Sequence, residues 1–363
     1  MKAAVLNSQP GPLEIEDVSV DSPGPGEVLV RVVGAGLCHS DLHFIEGTFR
    51  TKVPAVLGHE SAGVVEAVGE GVSYVKEGDH VIACLSIFCG QCRHCLGGFP
   101  NRCQNTGPTS RPKGAAPRLS KGDGTPVDQF ARLGGFAEQM LVHQNALVKI
   151  TEEMPLDRAA LIGCGITTGM GAVFRTAQVE PGSRVCVIGA GGIGLAAIQA
   201  ARIAGAGSVI VVDVSDAKLE TARQLGGTHV VNASQVDSVV DAVKDLSGGG
   251  VDYSFEAIGM KQTAEQAFNM LDIGGTATVI GMVPSKQMVE IRGIDLLAEK
   301  KLQGSMMGSN QFRVDMPNMV RMYLDGRLML DEMVSRRIGL DEVNEGYELM
   351  KRGEVARTVI TFD

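Results

Sequence analysis

RVCVIGAGGIGLAAIQAARIAGAGSVIVVD, residues 184–213, joins a β-branched run, a glycine turn, a helical pattern and a second β-branched run. After Arg184 the first run is apolar throughout, as a strand buried on both faces would be. It ends in Gly189-x-Gly191-x-x-Gly194, and Asp213 closes the next run 19 residues after Gly194. Gly189 permits the tight turn, Gly191 lets a pyrophosphate approach the backbone, and Gly194 allows close helix packing, with Gly192 and Ile193 between them. The helix N-terminus offers N–H groups to phosphates. Asp213 can accept hydrogen bonds from adenosine ribose hydroxyls, which favours NAD over NADP because a carboxylate repels a 2′-phosphate.

Outward from this stretch the pattern repeats. Further apolar runs begin near His229 (HVVNA), Asp252 (DYSFEAIG), Thr276 (TATVIG) and Lys301 (KLQGS), spaced 21 to 25 residues apart. Helical patterns fall between them at Ile193–Ala204, Ala217–Leu225, Val236–Leu246, Gln262–Leu271 and Ile291–Glu299. Alternation at this spacing predicts an α/β fold, a doubly wound parallel sheet of Rossmann type. Residues 1–150 read differently. Short alternating runs (EVLVRVVGAG, SAGVVEAVGEGV, HVIACL) between Gly and Pro turns predict an antiparallel, β-rich domain. Residues 105–133, rich in Gly and Pro, are expected to form a long structured loop. One or two helices and a closing strand, TVITFD, are expected after Met316.

The chain has 363 residues, enough for two domains. Forty-two acidic residues against 33 basic give a net charge of −9, which opposes a phosphate backbone and argues against a nucleic-acid partner. The N-terminus lacks the apolar core of a secretion signal, and residues 185–207 carry Gln199 and Arg202 among many glycines, which argues against a membrane span. Eight cysteines in such a chain fit a reducing cytoplasm, where clustered thiols bind metal more often than they pair.

Four of those cysteines form Cys89-x-x-Cys92-x-x-Cys95-x(7)-Cys103. Four thiolates this close can surround one tetrahedral zinc, leaving no open position, so the ion would be structural. An iron–sulfur cluster is the rival, although the bacterial ferredoxin run has a shorter last gap followed by Pro, and Gln104 follows here. His94 could stand in for one cysteine. Cys84 and Cys186 lie in strand-like runs and read as inert core thiols.

Cys38-His39-Ser40-Asp41, Gly58-His59-Glu60 and Gly163-Cys164-Gly165 are not diagnostic one by one. Together with GHESAGVVEAVGEGV, the four-cysteine lobe, LIGCGITTG and GAGGIG in this order, the chain resembles a zinc-dependent alcohol dehydrogenase of the medium-chain dehydrogenase/reductase family over nearly its whole length. The resemblance implies a GroES-like catalytic domain over 1–165, completed by 306–363, with a Rossmann NAD-binding domain over 166–305 inserted in it and the active site in the cleft. It implies that Cys38, His59 and Cys164 bind a second, catalytic zinc with one position left for water or substrate oxygen. Glu60 corresponds to a glutamate that approaches the zinc during ligand exchange, and Asp41 to the carboxylate that orients His59. Ser40 corresponds to the hydroxyl that takes the alcohol proton, and His43 to the histidine that passes it to solvent. His39, Thr168, Lys218 and Arg357 correspond to coenzyme-contacting positions.

The implied reaction moves a hydride between a primary or secondary alcohol and NAD, giving aldehyde or ketone. The alternatives are a glutathione-dependent formaldehyde dehydrogenase or another zinc-dependent polyol dehydrogenase. Gly107 stands where the glutathione-linked branch carries Arg, which argues against a glutathione adduct. Leu85, Met282 and Met306 are expected to line the pocket. The 105–133 loop resembles that of the dimeric branch, so a homodimer is expected.

Overall fold

The computed structural model describes residues 1–353 and 355–362. Asp363, the last residue of the expected closing strand, lies outside the described residues. The chain divides into two compact units, 1–164 with 311–363, and 165–310. Gly165 and residues 306–310 fall in the second unit rather than in the first as expected. Thr176 Oγ1 bonds both Ser305 Oγ (2.8 Å) and Ser309 Oγ (2.9 Å), which ties this stretch to the unit that precedes it.

The first unit is built on an all-but-antiparallel sheet, seven-stranded among the described residues. At its centre Glu27–Gly36 pairs with Glu60–Val68, Gln139–His143 and the C-terminal strand Arg357–Thr361. The pleat explains the sequence: Val28, Val30 and Val32 are fully buried while Arg31 points to solvent. A smaller sheet includes Lys2–Leu6, Ala55–Val56 and Pro126–Gln129. The helices expected near the C-terminus are Phe312–Leu324 and Val343–Lys351.

Residues 105–133 do form a structured loop. Glu27, 2% exposed, accepts from Arg111 at both carboxylate oxygens and from Arg118 Nε at 2.6 Å. Arg111 also donates to Asp21 and to the carbonyls of Ser22 and Ala116. These charge-assisted bonds, made at both ends of the loop's first half, hold it against the sheet.

The second unit carries a parallel sheet of six strands among the described residues. In spatial order they are His229–Asn232, Ser208–Asp213, Arg184–Ile188, Val251–Glu256, Leu271–Val279 and Lys301–Gly304. Chain direction therefore reverses its spatial progress beside Arg184–Ile188, the switch point where such sheets take ligands. Val185 to Ile188 are at most 1% exposed, as two-faced coverage requires. Helices Gly192–Ile203, Asp216–Gln224, Val239–Ser247 and Lys261–Asn269 fill the expected gaps. Over Ile291–Glu299 there is a difference: only 3₁₀ turns form, at Gly293–Ala298. Ile294, Leu296 and Leu297 there are 65%, 52% and 81% exposed, so no sheet face selects a helical stripe.

Gly194 sits where a Cβ would collide with the Gly189 carbonyl. Gly194→Ala should therefore lower stability by about 1–3 kcal/mol, as overpacking does, read as a lower urea midpoint. An unchanged midpoint would contradict the packing described.

Candidate active site

The strand Glu27–Gly36 leads into Cys38, which precedes the short helix His39–Ile45. His59 and Glu60 stand at the start of the neighbouring strand Glu60–Val68. Cys164 lies on a π-helical turn, Ile162–Ile166, between two α-helical turns. Such turns recur at functional sites because the extra residue re-aims side chains. One donor atom from each of Cys38, His59, Glu60 and Cys164 lies within 4.8 Å of the others, and all four residues are buried.

Asp41, fully buried in the helix's first turn, contacts His59 Nδ1 at 3.1 Å and accepts from Gly58 N–H at 3.1 Å. That leaves Nε2 as the donor facing the thiols, and it is buried without a hydrogen-bond partner. Burial disfavours the imidazolium, but Asp41 and the Cys38 thiolate outweigh it and raise His59 to about 10. The Cys164 thiol, with His59 beside it, holds Cys38 well below the ordinary thiol range despite burial. Two thiol sulfurs and one buried, orphaned imidazole nitrogen form a donor set suited to zinc. The carboxylate behind the histidine is the support such ligands usually have.

Arg357, expected to contact coenzyme, is 6% exposed, pairs with Glu60 and lies beside Cys38. Burial lowers its pKa, and the Cys38 and Asp41 charges oppose that. Sequence reasoning missed this pairing, because 297 positions separate the partners and only the sheet register brings Arg357–Thr361 beside Glu27–Gly36.

The helix His39–Ile45 presents His39 to solvent, with Ser40 and His43 half-buried. The His43 ring meets Phe49 edge-on at 5.6 Å. Phe130 was not singled out in the sequence, yet its ring lies 5.7 Å from that of His59 and 4.5 Å from that of Phe44.

The four-cysteine lobe is compact. Cys89–Cys95, Cys92–Cys95 and Cys92–Cys103 sulfurs are 3.9, 3.5 and 3.9 Å apart. A tetrahedron with Zn–S bonds of about 2.3 Å has edges of about 3.8 Å, so the lobe fits zinc. Backbone N–H groups led by that of Gln91 bring Cys89 down to about 6, while burial and the Cys92 sulfur push Cys95 up to about 12. A dication would stabilise the thiolate form of these sulfurs. Cys84 and Cys186 are fully buried, and burial raises both thiols, Cys84 to about 11, as inert core cysteines should show.

In the second unit, Gly189 adopts φ +98° and Gly191 caps the helix Gly192–Ile203. At Gly191 φ is −82° and a Cβ would meet nothing within 4 Å. Nothing in the protein demands glycine there, whereas a ligand approaching the backbone would. Asp213, 8% exposed, accepts from Ala190 N–H at 2.8 Å and Ser215 N–H at 3.0 Å. Each carboxylate oxygen keeps a second acceptor site. Lys218 is half-buried in the helix that follows, and buried Thr168 donates to Met307 Sδ at 3.4 Å. Met282 and Met306 are 45% and 55% exposed, so they do not fill core.

Comparison with known proteins shows which chains this one resembles. Residues 24–152 match the alcohol dehydrogenase GroES-like domain and residues 192–324 the zinc-binding dehydrogenase domain. An S-(hydroxymethyl)glutathione dehydrogenase of Paracoccus denitrificans is 36% identical, with 99% of each chain covered. An NDMA-dependent alcohol dehydrogenase of Amycolatopsis methanolica is 40% identical, over 99% of this chain and 98% of its own. The crystal structure of an alcohol dehydrogenase zinc-binding domain protein from Burkholderia ambifaria superposes with a TM-score of 0.95 at 35% identity, covering 100% of this chain and 98% of its own. The chain belongs to the zinc-dependent alcohol dehydrogenases of the medium-chain dehydrogenase/reductase family. It is an oxidoreductase with a GroES-like and a Rossmann-type domain, and none of its described helices is long and apolar enough to cross a membrane.

Proposed function

We propose that this chain is an NAD-dependent alcohol dehydrogenase that interconverts primary or secondary alcohols with aldehydes or ketones, using two zinc ions per chain. The observation that carries the reading is the convergence of Cys38, His59 and Cys164 with Asp41 behind the histidine. When bound there, zinc supplies Lewis acidity that lowers the pKa of an alcohol hydroxyl. Asp41 fixes the His59 ring so that Nε2 faces the two thiols. Glu60, paired with Arg357, holds a carboxylate next to the donor set. Ser40 would accept the hydroxyl proton and His43 would pass it to solvent, and NAD, when bound, would supply the acceptor for the carbon-bound hydrogen as hydride. The products are the carbonyl compound, NADH and one proton. Gly189, Gly191, Gly192, Ile193 and Gly194 would hold the pyrophosphate, and Asp213 the adenosine ribose. His39, Thr168, Lys218 and Arg357 would complete the coenzyme contacts. Cys89, Cys92, Cys95 and Cys103 hold the second ion as a structural clip.

The reading extends to a cytoplasmic homodimer with small-molecule substrates, without nucleic-acid or membrane partners. The exposed Ile294, Leu296 and Leu297 precede the edge strand Lys301–Gly304, a surface that supports self-association.

A second reading, oxidation of a glutathione adduct, is supported by the relative named S-(hydroxymethyl)glutathione dehydrogenase. Gly107 in place of the branch's Arg speaks against it. NADH formation from a panel of free alcohols, beside formaldehyde with glutathione, tests both. Turnover of free alcohols supports the first reading, and turnover of the adduct alone supports the second.

The relay has its own test. His43→Gln should slow alcohol oxidation near pH 7 by ~10²-fold, the low end for general acid–base steps, because solvent substitutes in part for a terminal relay member. Small added bases should restore some of the rate. A wild-type rate and pH profile would remove His43 from the mechanism.

A further inference from the structure

A cavity of about 490 Å³ lies in the second unit, lined by the helix Val239–Ser247, the end of the helix Lys261–Asn269 and the segment 290–300. That volume suits a small molecule. Val240 and Ile291 give it apolar surface, while Lys244, Arg292 and Lys300 bring three cations to it and Asn269 an amide. Asn269 and Lys300 stand just before parallel strands begin, and Lys244 is in the last turn of its helix. The three therefore mark the end of the sheet opposite the glycine turn at Gly189. Ile294, Leu296 and Leu297, exposed on the same segment, do not line the cavity.

The charges around it do not balance. Glu290 and Asp295 also line the cavity, but both are engaged. Glu290 pairs with Lys261, which is not part of the lining. Asp295 accepts from Arg292 twice, from Nη2 at 2.8 Å and from Nε at 3.1 Å. Among the described residues no carboxylate lies within ion-pair distance of Lys244 or Lys300. Burial holds half-buried Lys300 below its ordinary pKa, and the Lys244 and Arg292 charges act in the same direction, against Asp295 and Asp272. The dipole of Val239–Ser247 favours a cation in its last turn, which accounts for Lys244. It does not account for a second lysine converging on the first in a chain of net charge −9. Like charges gathered in a cavity are costly until an anion joins them.

We propose that this cavity is a binding site for a phosphate dianion, free or carried by a small monoester, held by Lys244, Lys300 and Arg292. A phosphate directs oxygens to several sides, so cations from a helix and from both ends of the segment 290–300 can each meet one, whereas a carboxylate offers two oxygens in a plane. Lysine ammonium groups bind phosphate as compact point charges. Arg292 keeps N–H donors beyond the two given to Asp295. Val240 and Ile291 give a monoester's carbon chain a place to lie. Because Arg292 and Lys300 bracket the 3₁₀ turns Gly293–Ala298, the bound phosphate ties those turns to the helix Val239–Ser247. The site shares no residue with the alcohol dehydrogenase reading.

The test is a phosphorus NMR titration of the whole chain at low salt with inorganic phosphate and with butyl phosphate, in the absence and presence of saturating NAD. It is made on wild type, Lys244→Gln, Lys300→Gln and Lys300→Arg. Both probes should bind saturably with NAD present, and hydrogen exchange over residues 290–300 should slow as they do. Each Gln variant should weaken binding by ~10–100-fold, the range for a lost charge-assisted contact. Lys300→Arg keeps the charge and should stay within ~3-fold of wild type. Alcohol oxidation should be unchanged in all three variants. Tighter binding of butyl phosphate than of inorganic phosphate identifies a monoester as the occupant, and equal binding identifies free phosphate. No saturable binding of either probe, binding that both Gln variants leave unchanged, or binding that NAD displaces would overturn the proposal, the last two placing the phosphate elsewhere on the chain.

Discussion

Cys164→Ala is expected to lose one of two zinc ions per chain and nearly all alcohol oxidation, while the fold survives. The π-helical turn that carries Cys164 lies among residues at most 5% exposed, so its backbone is held by packing as well as by any ion. What disappears is a thiolate from a three-residue donor set, and with it the Lewis acid. That contribution is several kcal/mol, and each 1.4 kcal/mol is tenfold, so the rate should fall by ~10³-fold or more. Cys95→Ala should behave in the opposite sense. Its thiolate closes a four-sulfur clip, and structural zinc contributes folding free energy directly, so stability should fall by more than ~2 kcal/mol. The metal-bound remainder should retain turnover per folded molecule. Zinc content, thermal midpoint and kcat measured side by side separate the two sites. Equal loss of stability and activity in both variants would mean that the two roles are not separable.

The second large effect concerns Asp213. In the fold its two carboxylate oxygens each hold one backbone N–H and keep acceptor capacity for the ribose of NAD. Charge-assisted hydrogen bonds of this kind are worth about 1.5–3 kcal/mol each. NADP replaces one hydroxyl donor by a phosphate, so a bond is lost and like charges meet. Val214 and Ser215 cannot neutralise that phosphate, and half-buried Lys218 compensates only in part. A preference for NAD of at least ~100-fold in kcat/KM follows. Asp213→Ser should weaken NAD use and narrow the gap. Equal use of both coenzymes by the wild type would show that Asp213 does not meet the ribose.

Much of the second unit was legible because every buried parallel strand writes the same signature, an apolar β-branched run followed by a turn and a helix. The runs starting at Arg184, Ser208 and Lys301 begin where the strands do. Ile291–Glu299 misled for the converse reason. Its apolar spacing implied a face to cover, but Leu297 stays 81% exposed and the backbone settles into 3₁₀ turns. The four-cysteine lobe was legible because its donors are local. Cys38, His59 and Cys164 became a set only through family resemblance, since no local spacing joins them. Arg357 beside Glu60 and Phe130 beside His59 were beyond reach, because each depends on sheet register or loop conformation that composition does not encode.

The most direct test of the central claim is alcohol-dependent NADH formation in one preparation while the exchangeable zinc is withdrawn by chelator and then returned. The account predicts that activity falls in proportion to loss of one zinc per chain, with the fold and the second zinc intact, and that added zinc restores it. Full activity in a preparation shown to be free of metal would contradict it.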